Sequence, residues 1–242
     1  YLNRTVVNDK VLAQSIQLNN DVDTEHIEKL YSTNNIVVQN VSTDQINIPF
    51  IELDETITYS IEDGTVALTF DDGPSQYSME IVDVLKKYEV GGTFFFIGQN
   101  VKKYPEHIKY VQSNGYSIGS HSLNHIDMPT TSYANQEKEL VQSIELLEEI
   151  TNEEVTLFRP PYGSFNKHIK DLIHENQYKM VLWNNDPEDW KTRDADKIFD
   201  DIQNSQASGS IILFHESQAV VDALPRIIEY LQQLDLKIVN LK

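Results

Sequence analysis

Two adjacent carboxylates are the first residues of this chain that could do chemistry. Asp71 and Asp72 lie in the segment TFDDGPS, residues 69–75, directly after a short apolar run. Neighbouring side chains at a strand end point in different directions, so one carboxylate could bind a metal ion while the other moves a proton. The same residue types are common in loops that cap helices, and that interpretation stays open for the segment taken alone.

A histidine pair is the second candidate. His121 and His125 lie in HSLNH, and side chains four positions apart share one face if the segment is helical. With Asp72 they would form a site of two imidazoles and one carboxylate, which leaves open positions for water, as in catalytic metal sites. Two unrelated surface histidines are the alternative.

A rigid loop with one cation is the third candidate. In RPPYG, residues 159–163, the Arg159 guanidinium could pair bidentately with a carboxylate and hold it ionised. The two prolines stiffen the loop and could aim the backbone N–H of Tyr162 at a developing oxyanion. A rigid surface turn would have the same sequence.

Two further segments carry acidic, aromatic and imidazole groups. DPEDW, residues 186–190, contains Asp189 and Trp190, and carboxylates near a tryptophan are seldom buried for packing alone. An acidic helix N-terminus is the alternative for that segment. LFH, residues 213–215, ends in His215, and a lone histidine is more often a hydrogen-bond partner than a catalyst.

Short apolar runs alternate with amphipathic stretches from residue 64 onward, which predicts a parallel α/β sheet, either open or closed into a barrel. Such folds place their active sites at the carboxyl ends of the strands, where all five segments lie. The predicted strands span residues 66–70, 93–97, 117–120, 155–158, 179–183, 210–214 and 237–239. The predicted helices span 76–88, 105–113, 133–150, 167–176, 194–203 and 221–233, the last with Pro225 in its first turn.

Residues 1–62 differ from the rest of the chain. Apolar residues alternate at positions 46–50 and 57–61, the period of half-buried strands, and polar loops separate them. We therefore predict a small, mostly extended N-terminal appendage of unknown role at 1–62 and a second domain at 63–242. The chain begins with Tyr1, so we expect that a signal or membrane anchor could precede it.

Composition excludes several classes of protein. The chain has 242 residues and a formal net charge of −19, which argues against binding to nucleic acid or to anionic membrane surfaces. Because it has no cysteine, disulfides, thiolate catalysis and zinc–sulfur sites are excluded. No apolar run approaches the ~18–20 residues of a membrane span, so we predict no membrane insertion.

The five segments, in this order, resemble the motifs of the polysaccharide deacetylase family, also called the NodB-homology family or family 4 carbohydrate esterases. The resemblance covers residues 64–242 and does not extend to the appendage. It implies a distorted (β/α) barrel with fewer than eight parallel strands. It also implies one divalent metal ion held by Asp72, His121 and His125, with zinc as the first choice and other first-row divalent ions as alternatives.

The resemblance further implies a role for each remaining motif residue. Asp71 would be the general base that activates the attacking water, and His215 would be the general acid that protonates the leaving nitrogen. The remaining residues support these groups or the substrate: Arg159 would pair with the base, Asp189 with His215, Tyr162 would supply a backbone oxyanion donor, and Trp190 and Leu213 would line the pocket for the acetyl methyl group. Asp71 should stay ionised because Arg159 and the metal cation favour its charged form, and Asp189 should raise the pKa of His215.

The resemblance therefore predicts a metal-dependent hydrolase that removes N-acetyl groups from an aminosugar polymer or oligosaccharide, with peptidoglycan N-acetylglucosamine before chitin-type substrates. An O-acetyl xylan esterase and a non-catalytic carbohydrate-binding barrel are the alternatives. A phosphoesterase fits poorly because Arg159 is the only cation in these motifs. We expect an extracellular or cell-surface bacterial protein that acts as a monomer.

Overall fold

A computed structural model describes residues 48–242 of the chain. Within these residues the strands are β1 Phe50–Ile51, β2 Ile57–Thr58, β3 Thr65–Gly73, β4 Thr93–Phe96, β5 Ser117–Ser120, β6 Leu157–Phe158, β7 Lys179–Val181, β8 Ser210–His215, β9 Lys237–Ile238 and β10 Asn240–Leu241.

The main sheet is parallel and curls into a barrel. Its strands follow the order β2-β7-β6-β5-β4-β3-β8, and the short β9 pairs with the beginning of β3 outside this path of seven strands. The barrel closes because the chain after β7 reaches β8, where Asn185 pairs with Ile212 and accepts a hydrogen bond from the Leu213 N–H at 2.9 Å. The predicted distorted parallel barrel is confirmed.

Alternate residues of the central strands face two different cores. Ala67 of β3 packs inside the barrel with Phe95 and Ile211, whereas Leu68 and Phe70 pack against the surrounding helices. Both faces of these strands are therefore buried. This explains why they read in the sequence as continuous apolar runs rather than as alternating patterns.

Helices surround the barrel. Within residues 48–242 they are α1 Ser78–Lys87, α2 Gly98–Val101, α3 Pro105–Ser113, α4 Tyr133–Thr151, α5 Lys167–Glu175, α6 Asp189–Thr192, α7 Ala195–Gln203 and α8 Gln218–Gln233, with 3₁₀ turns at Met128–Thr130 and Pro161–Gly163. Side-chain oxygens of Ser132, Asn166, Asp194 and Ser217 cap α4, α5, α7 and α8 respectively. In the described part of the chain, none of the helices has both the length and the apolar character needed to cross a membrane.

Two predicted boundaries were wrong in ways that matter. Strand β3, which was predicted to end at residue 70, continues to Gly73, so the two adjacent carboxylates belong to the strand instead of following it. The last helix begins at Gln218, because Ser217 Oγ accepts a hydrogen bond from the Val220 N–H, and Pro225 therefore lies in the helix interior and not in the first turn. The four-residue helices α2 and α6 were not predicted.

Part of the predicted appendage contributes to the barrel. Strand β2 pairs with β7, and β1 pairs with β10 at the end of the chain. Residues 48–62 thus have the extended character that their alternation predicts. Residues 1–47 lie outside the described residues, so the domain boundary at residue 62 stays a prediction.

The loop that leads into β8 should depend on the side chain of Asn185. Its Nδ2 donates to Ser205 Oγ at 2.8 Å and to the Gln206 carbonyl at 3.2 Å. Asn185→Ala would remove both hydrogen bonds, and we expect it to lower the free energy of unfolding by about 1–3 kcal/mol in urea denaturation. The exposed Gln203→Ala is the matched control, with an expected change within about 0.5 kcal/mol. Equal effects of the two variants would contradict this role for Asn185.

Candidate active site

A bulge in β3 brings two adjacent carboxylates to the same site. The pairing of β3 with β4 shifts its register between Asp71 and Gly73, so Asp72 is an extra residue on the strand. Its φ of 69° lies in the left-handed region, which non-glycine residues rarely adopt. A regular pleat would send the two side chains to opposite faces. Instead, each presents an oxygen to His121 Nε2, at 3.5 Å from Asp71 and 3.7 Å from Asp72.

Arg159 lies fully buried beside the first of these carboxylates. Its Nη1 donates to Asp71 Oδ1 and to Thr69 Oγ1, both at 2.8 Å, while Nε and Nη2 donate to the carbonyls of Val181 and Leu182. The expected pairing with a carboxylate is present, but the bidentate geometry was wrong. Three other guanidinium N–H groups donate to Thr69 and the two carbonyls, and Asp71 Oδ2 is turned towards His121.

Burial raises the pKa of Asp71 above its ordinary value, while the charge and hydrogen bond of Arg159 oppose that shift. From the sequence, Arg159 and a bound cation were together expected to keep this carboxylate ionised. Desolvation outweighs the guanidinium because the carboxylate is almost completely removed from water. A carboxylate with a raised pKa accepts a proton more readily, which suits a general base.

The histidine pair lies on a loop and not on a helix, so the helical spacing argument was wrong. The loop brings the two rings together by left-handed turns at Ser122 and His125, with φ of 64° and 56°. The His125 N–H donates to Ser122 Oγ at 2.9 Å, which stabilises the turn. The ring centroids of His121 and His125 are 4.9 Å apart.

The two imidazoles and Asp72 fit a divalent metal ion. One ligand atom from each of these three residues lies within 4.8 Å of the others. Asp72 Oδ1 is 3.2 Å from His125 Nε2 and 3.7 Å from His121 Nε2, close to the roughly 3.3–3.5 Å that separates ligand atoms around a tetrahedral zinc ion. This oxygen is buried and accepts no hydrogen bond from the described residues, as expected for an atom that needs a cation.

The protonation of His121 also suits a metal ligand. Its Nδ1 lies 2.8 Å from the carbonyl oxygen of Arg159, which places the ring proton on Nδ1 and leaves the lone pair on Nε2. Burial lowers the pKa of His121, which favours the neutral imidazole that binds metals.

His215 is held in the opposite protonation state. Both oxygens of the buried Asp189 accept from it, Oδ1 from the ring Nδ1 at 2.8 Å and Oδ2 from the backbone N–H at 2.7 Å. Burial alone would lower the pKa of His215, but the hydrogen bond and charge of Asp189, with the charges of Asp71 and Asp72, raise it to about 9. The ring is therefore an imidazolium at neutral pH, as the sequence argument expected.

These groups surround one cavity of about 910 Å³ at the carboxyl ends of the strands. The Trp190 side chain is 54% exposed and Tyr162 is 66% exposed, so both stand at the rim, whereas Leu213 is buried in the wall. The predicted site residues that line the cavity are Asp71, Asp72, His121, His125, Tyr162, Asp189, Trp190, Leu213 and His215. Arg159 lies behind this wall, with its guanidinium carbon 4.2 Å from the ring centroid of Phe95.

Several lining residues were missed from the sequence. Trp183 was given no role, although its position at the end of the predicted strand 179–183 was a usable signal. Asp186 lies in the motif DPEDW and was given no role, and Glu216 directly follows the motif LFH. Tyr77 and Arg193 lie beyond the motifs, and no pattern in the sequence indicates them.

Glu216 fastens the end of β8 to the loop that follows β3. Its Oε2 accepts hydrogen bonds from the Ser75 N–H at 3.0 Å, Ser75 Oγ at 2.5 Å and Ser78 Oγ at 2.7 Å. Its Oε1 is buried against Gly73, where a Cβ atom would lie 2.2 Å from it, so any larger residue at that position would displace the Glu216 carboxylate. The two strands that carry Asp71 and His215 are thereby joined beyond their ladder.

The chain resembles known proteins over most of its length. The sequence profile described as "Polysaccharide deacetylase" matches residues 59–181. A peptidoglycan-N-acetylmuramic acid deacetylase, PdaC of Bacillus subtilis, is 32% identical over 218 residues, which are 89% of this chain and 45% of that protein. A peptidoglycan-N-acetylglucosamine deacetylase of Bacillus cereus is 32% identical over 182 residues, 73% of this chain and 66% of that protein. The chain thus spans less than two thirds of the length of either relative.

Solved structures share the fold. A CE4 family pseudoenzyme from Bacillus anthracis is similar with a TM-score of 0.73 and 28% identity, over 78% of this chain and 68% of that one. Because that neighbour is described as a pseudoenzyme, similarity of fold does not by itself establish turnover.

The pH dependence of stability should report on Glu216. Burial raises its pKa from 4.5 to about 7, although the hydrogen bonds from Ser75 and Ser78 oppose the shift. A raised folded-state pKa gives a contribution to stability that is complete below pH 4.5 and is lost as the pH rises through about 7. Glu216→Gln stays neutral, so its unfolding temperature relative to wild type should rise from pH 4.5 to pH 8 in metal-free protein.

Glu149→Gln, which removes one exposed carboxylate from α4, is the control for the loss of charge. If the wild type and Glu216→Gln lose stability in parallel over this pH range, the buried carboxyl group does not titrate as described.

Proposed function

Because the chain belongs to the polysaccharide deacetylase family, we propose that it removes N-acetyl groups from an aminosugar polymer. Peptidoglycan N-acetylglucosamine is the first candidate substrate and chitin-type oligosaccharide the second. The observation that carries the proposal is the convergence on one cavity of a buried base, an imidazolium and a candidate metal centre. A polymer of this kind lies outside the cell membrane, so we also propose an extracellular or cell-surface location and action as a monomer.

The candidate metal centre supports a hydrolytic reaction. Asp72, His121 and His125 would hold the ion, and zinc suits their two nitrogens and one oxygen. When bound, a divalent ion of this kind polarises a carbonyl group and lowers the pKa of water. The Arg159 carbonyl that fixes the His121 tautomer would support the affinity of the site.

Asp71 and His215 are suited to carry out the two proton transfers of the reaction. They are direct partners across the β3–β8 ladder, so their side chains lie beside each other at the same strand end. Asp71, with its raised pKa, would take the proton of the attacking water. His215, protonated at neutral pH, would donate a proton to the leaving nitrogen, which is otherwise a poor leaving group.

The remaining groups would position the substrate. Leu213 in the wall and Trp190 at the rim would enclose the acetyl methyl group, and the cavity also contains Trp183 on that side. The 3₁₀ turn Pro161–Gly163 holds Tyr162 with a φ of 61°, and we propose that its backbone N–H stabilises the oxyanion. The exposed Tyr162 and Trp190 rings would then contact neighbouring sugars.

Acetate release is the direct test. Full-length protein with zinc should remove acetyl groups (C₂H₂O each by mass spectrometry) from N-acetylglucosamine oligomers and from peptidoglycan, and a chelator should abolish this. Asp71→Asn and His215→Ala should each lower kcat by about 10²–10⁴-fold, because each removes a proton-transfer group. Asp201→Asn, an exposed change on α7, is the matched control and should keep full activity.

The alternatives give different results in the same assay. Release from acetylxylan but not from N-acetyl substrates would favour an O-acetyl esterase. Release from N-acetylmuramic acid alone would indicate the substrate that is named for the B. subtilis relative. Retention of the polymer without release of acetate would leave a carbohydrate-binding barrel, and the proposed catalysis would be wrong.

The pH profile should report on the Asp189–His215 pair. On the alkaline side, the wild-type rate should stay high until the pH rises through about 9, the pKa of His215, because the acid form is lost there. Asp189→Asn removes the negative charge and should move this alkaline limb to lower pH. Asp186→Asn, which lies in the same segment but accepts from the Glu188 N–H, should move it less. An unchanged limb in Asp189→Asn would show that His215 is not the acid.

A further inference from the structure

One acidic residue of α4 differs from the others on that helix. Glu139 lies outside the five motifs, yet its side chain is only 2% exposed, whereas Glu145 and Glu149 of the same helix are exposed. A buried carboxylate is costly unless hydrogen-bond donors compensate for its lost hydration. Its partners therefore indicate what it does.

Both oxygens of Glu139 accept from a single residue of the histidine loop. Asn124 donates its backbone N–H to Oε2 at 2.8 Å and its Nδ2 to Oε1 at 2.7 Å. Asn124 directly precedes His125, so the two hydrogen bonds fix both the backbone and the side chain of the residue beside a candidate metal ligand. A carboxylate fits here because it offers two acceptors to two parallel donors.

The same helix and its neighbour α2 also hold the backbone of this loop. The Leu123 N–H donates to the Glu139 carbonyl at 2.9 Å, and the Gln99 N–H donates to the Leu123 carbonyl at 2.8 Å. Two residues of the loop, Ser122 and His125, have left-handed backbones, which persist only where surrounding contacts enforce them. Within the loop, the His125 N–H donates to Ser122 Oγ, and from outside it the Glu139 side chain holds the residue that precedes the second of these turns.

We propose that Glu139 is a positioning residue that holds the 121–125 loop in the conformation in which His121, His125 and Asp72 can share one divalent ion. The inference rests on the metal centre of the proposed function and adds to it a residue that touches neither the ion nor the substrate. Its effect should appear in metal affinity even when no substrate is present.

A pair of isosteric changes tests the clamp, which consists of the two hydrogen bonds from Asn124 to the Glu139 carboxylate. Asn124→Asp places a carboxylate against the carboxylate of Glu139, and we expect the Zn²⁺ affinity of the full chain, measured by competition with a chromophoric chelator, to fall by about 10-fold or more. Adding Glu139→Gln again pairs one amide with one carboxylate, so a donor faces an acceptor between the two side chains. The net charge of the pair is then the same as in the wild type. The double variant should recover most of the lost affinity.

Simple electrostatics predicts the opposite for the single variant, because an added negative charge near a cation would strengthen binding. Tighter or unchanged Zn²⁺ binding by Asn124→Asp would therefore overturn the proposal, and so would a double variant no better than the single one. Glu149→Gln is the matched control for Glu139→Gln on the same helix and should leave the affinity unchanged. A second carboxylate in contact with the buried Glu139 will also lower the stability of the single variant, so thermal unfolding in chelator sets a temperature at which every variant is folded. A folded Asn124→Asp variant that keeps the wild-type Zn²⁺ affinity at that temperature would overturn the proposal.

The outcome is independent of the deacetylase assay. A wild-type protein that binds Zn²⁺ and shows the rescue, but releases no acetate, would retain the clamp and refute the proposed activity. An active deacetylase whose variants show no rescue would refute the clamp alone.

Discussion

The buried guanidinium of Arg159 connects the separate parts of the active site. One of its nitrogens donates to Asp71, two others donate to the carbonyls of Val181 at the end of β7 and of Leu182 after it, and its backbone carbonyl accepts a hydrogen bond from His121 Nδ1. A buried charge is costly unless it is paired and hydrogen-bonded, as this guanidinium is. The residue therefore orients the proposed base and a proposed metal ligand together, and neither can move without breaking a buried contact.

The second constraint is that neighbouring groups must keep different protonation states. Burial lowers the pKa of His121, and the hydrogen bond that its Nδ1 donates to the Arg159 carbonyl does not offset this effect. Burial also acts to lower the pKa of His215, but the hydrogen bond and charge of Asp189 outweigh it and raise that pKa to about 9. Both imidazoles lie at the same end of one barrel. Burial dominates at one ring and a carboxylate partner at the other, which separates a ring suited to bind a cation from a ring suited to donate a proton.

Much of the architecture could be predicted because parallel strands buried on both faces have continuous apolar runs, and because chemistry collects at their carboxyl ends. All ten predicted residues lie in or directly behind one cavity, although their roles stay predictions. The bulge at Asp72 could not be predicted, since register depends on the facing strand. Glu139 and Glu216 were missed for a related reason: their partners, Asn124 and Ser75, are distant in sequence, so no local pattern marks them.

The extra residue in β3 has a consequence for how such a barrel could diverge. Removing Asp72 would restore an even ladder between β3 and β4, because Asp71 and Gly73 already pair with consecutive residues of β4. The strand would then present one carboxylate to the cavity in place of two, and the candidate metal site would lose its oxygen ligand. In this architecture a single-residue deletion, and not a new fold, would therefore separate the proposed hydrolysis from sugar binding without turnover.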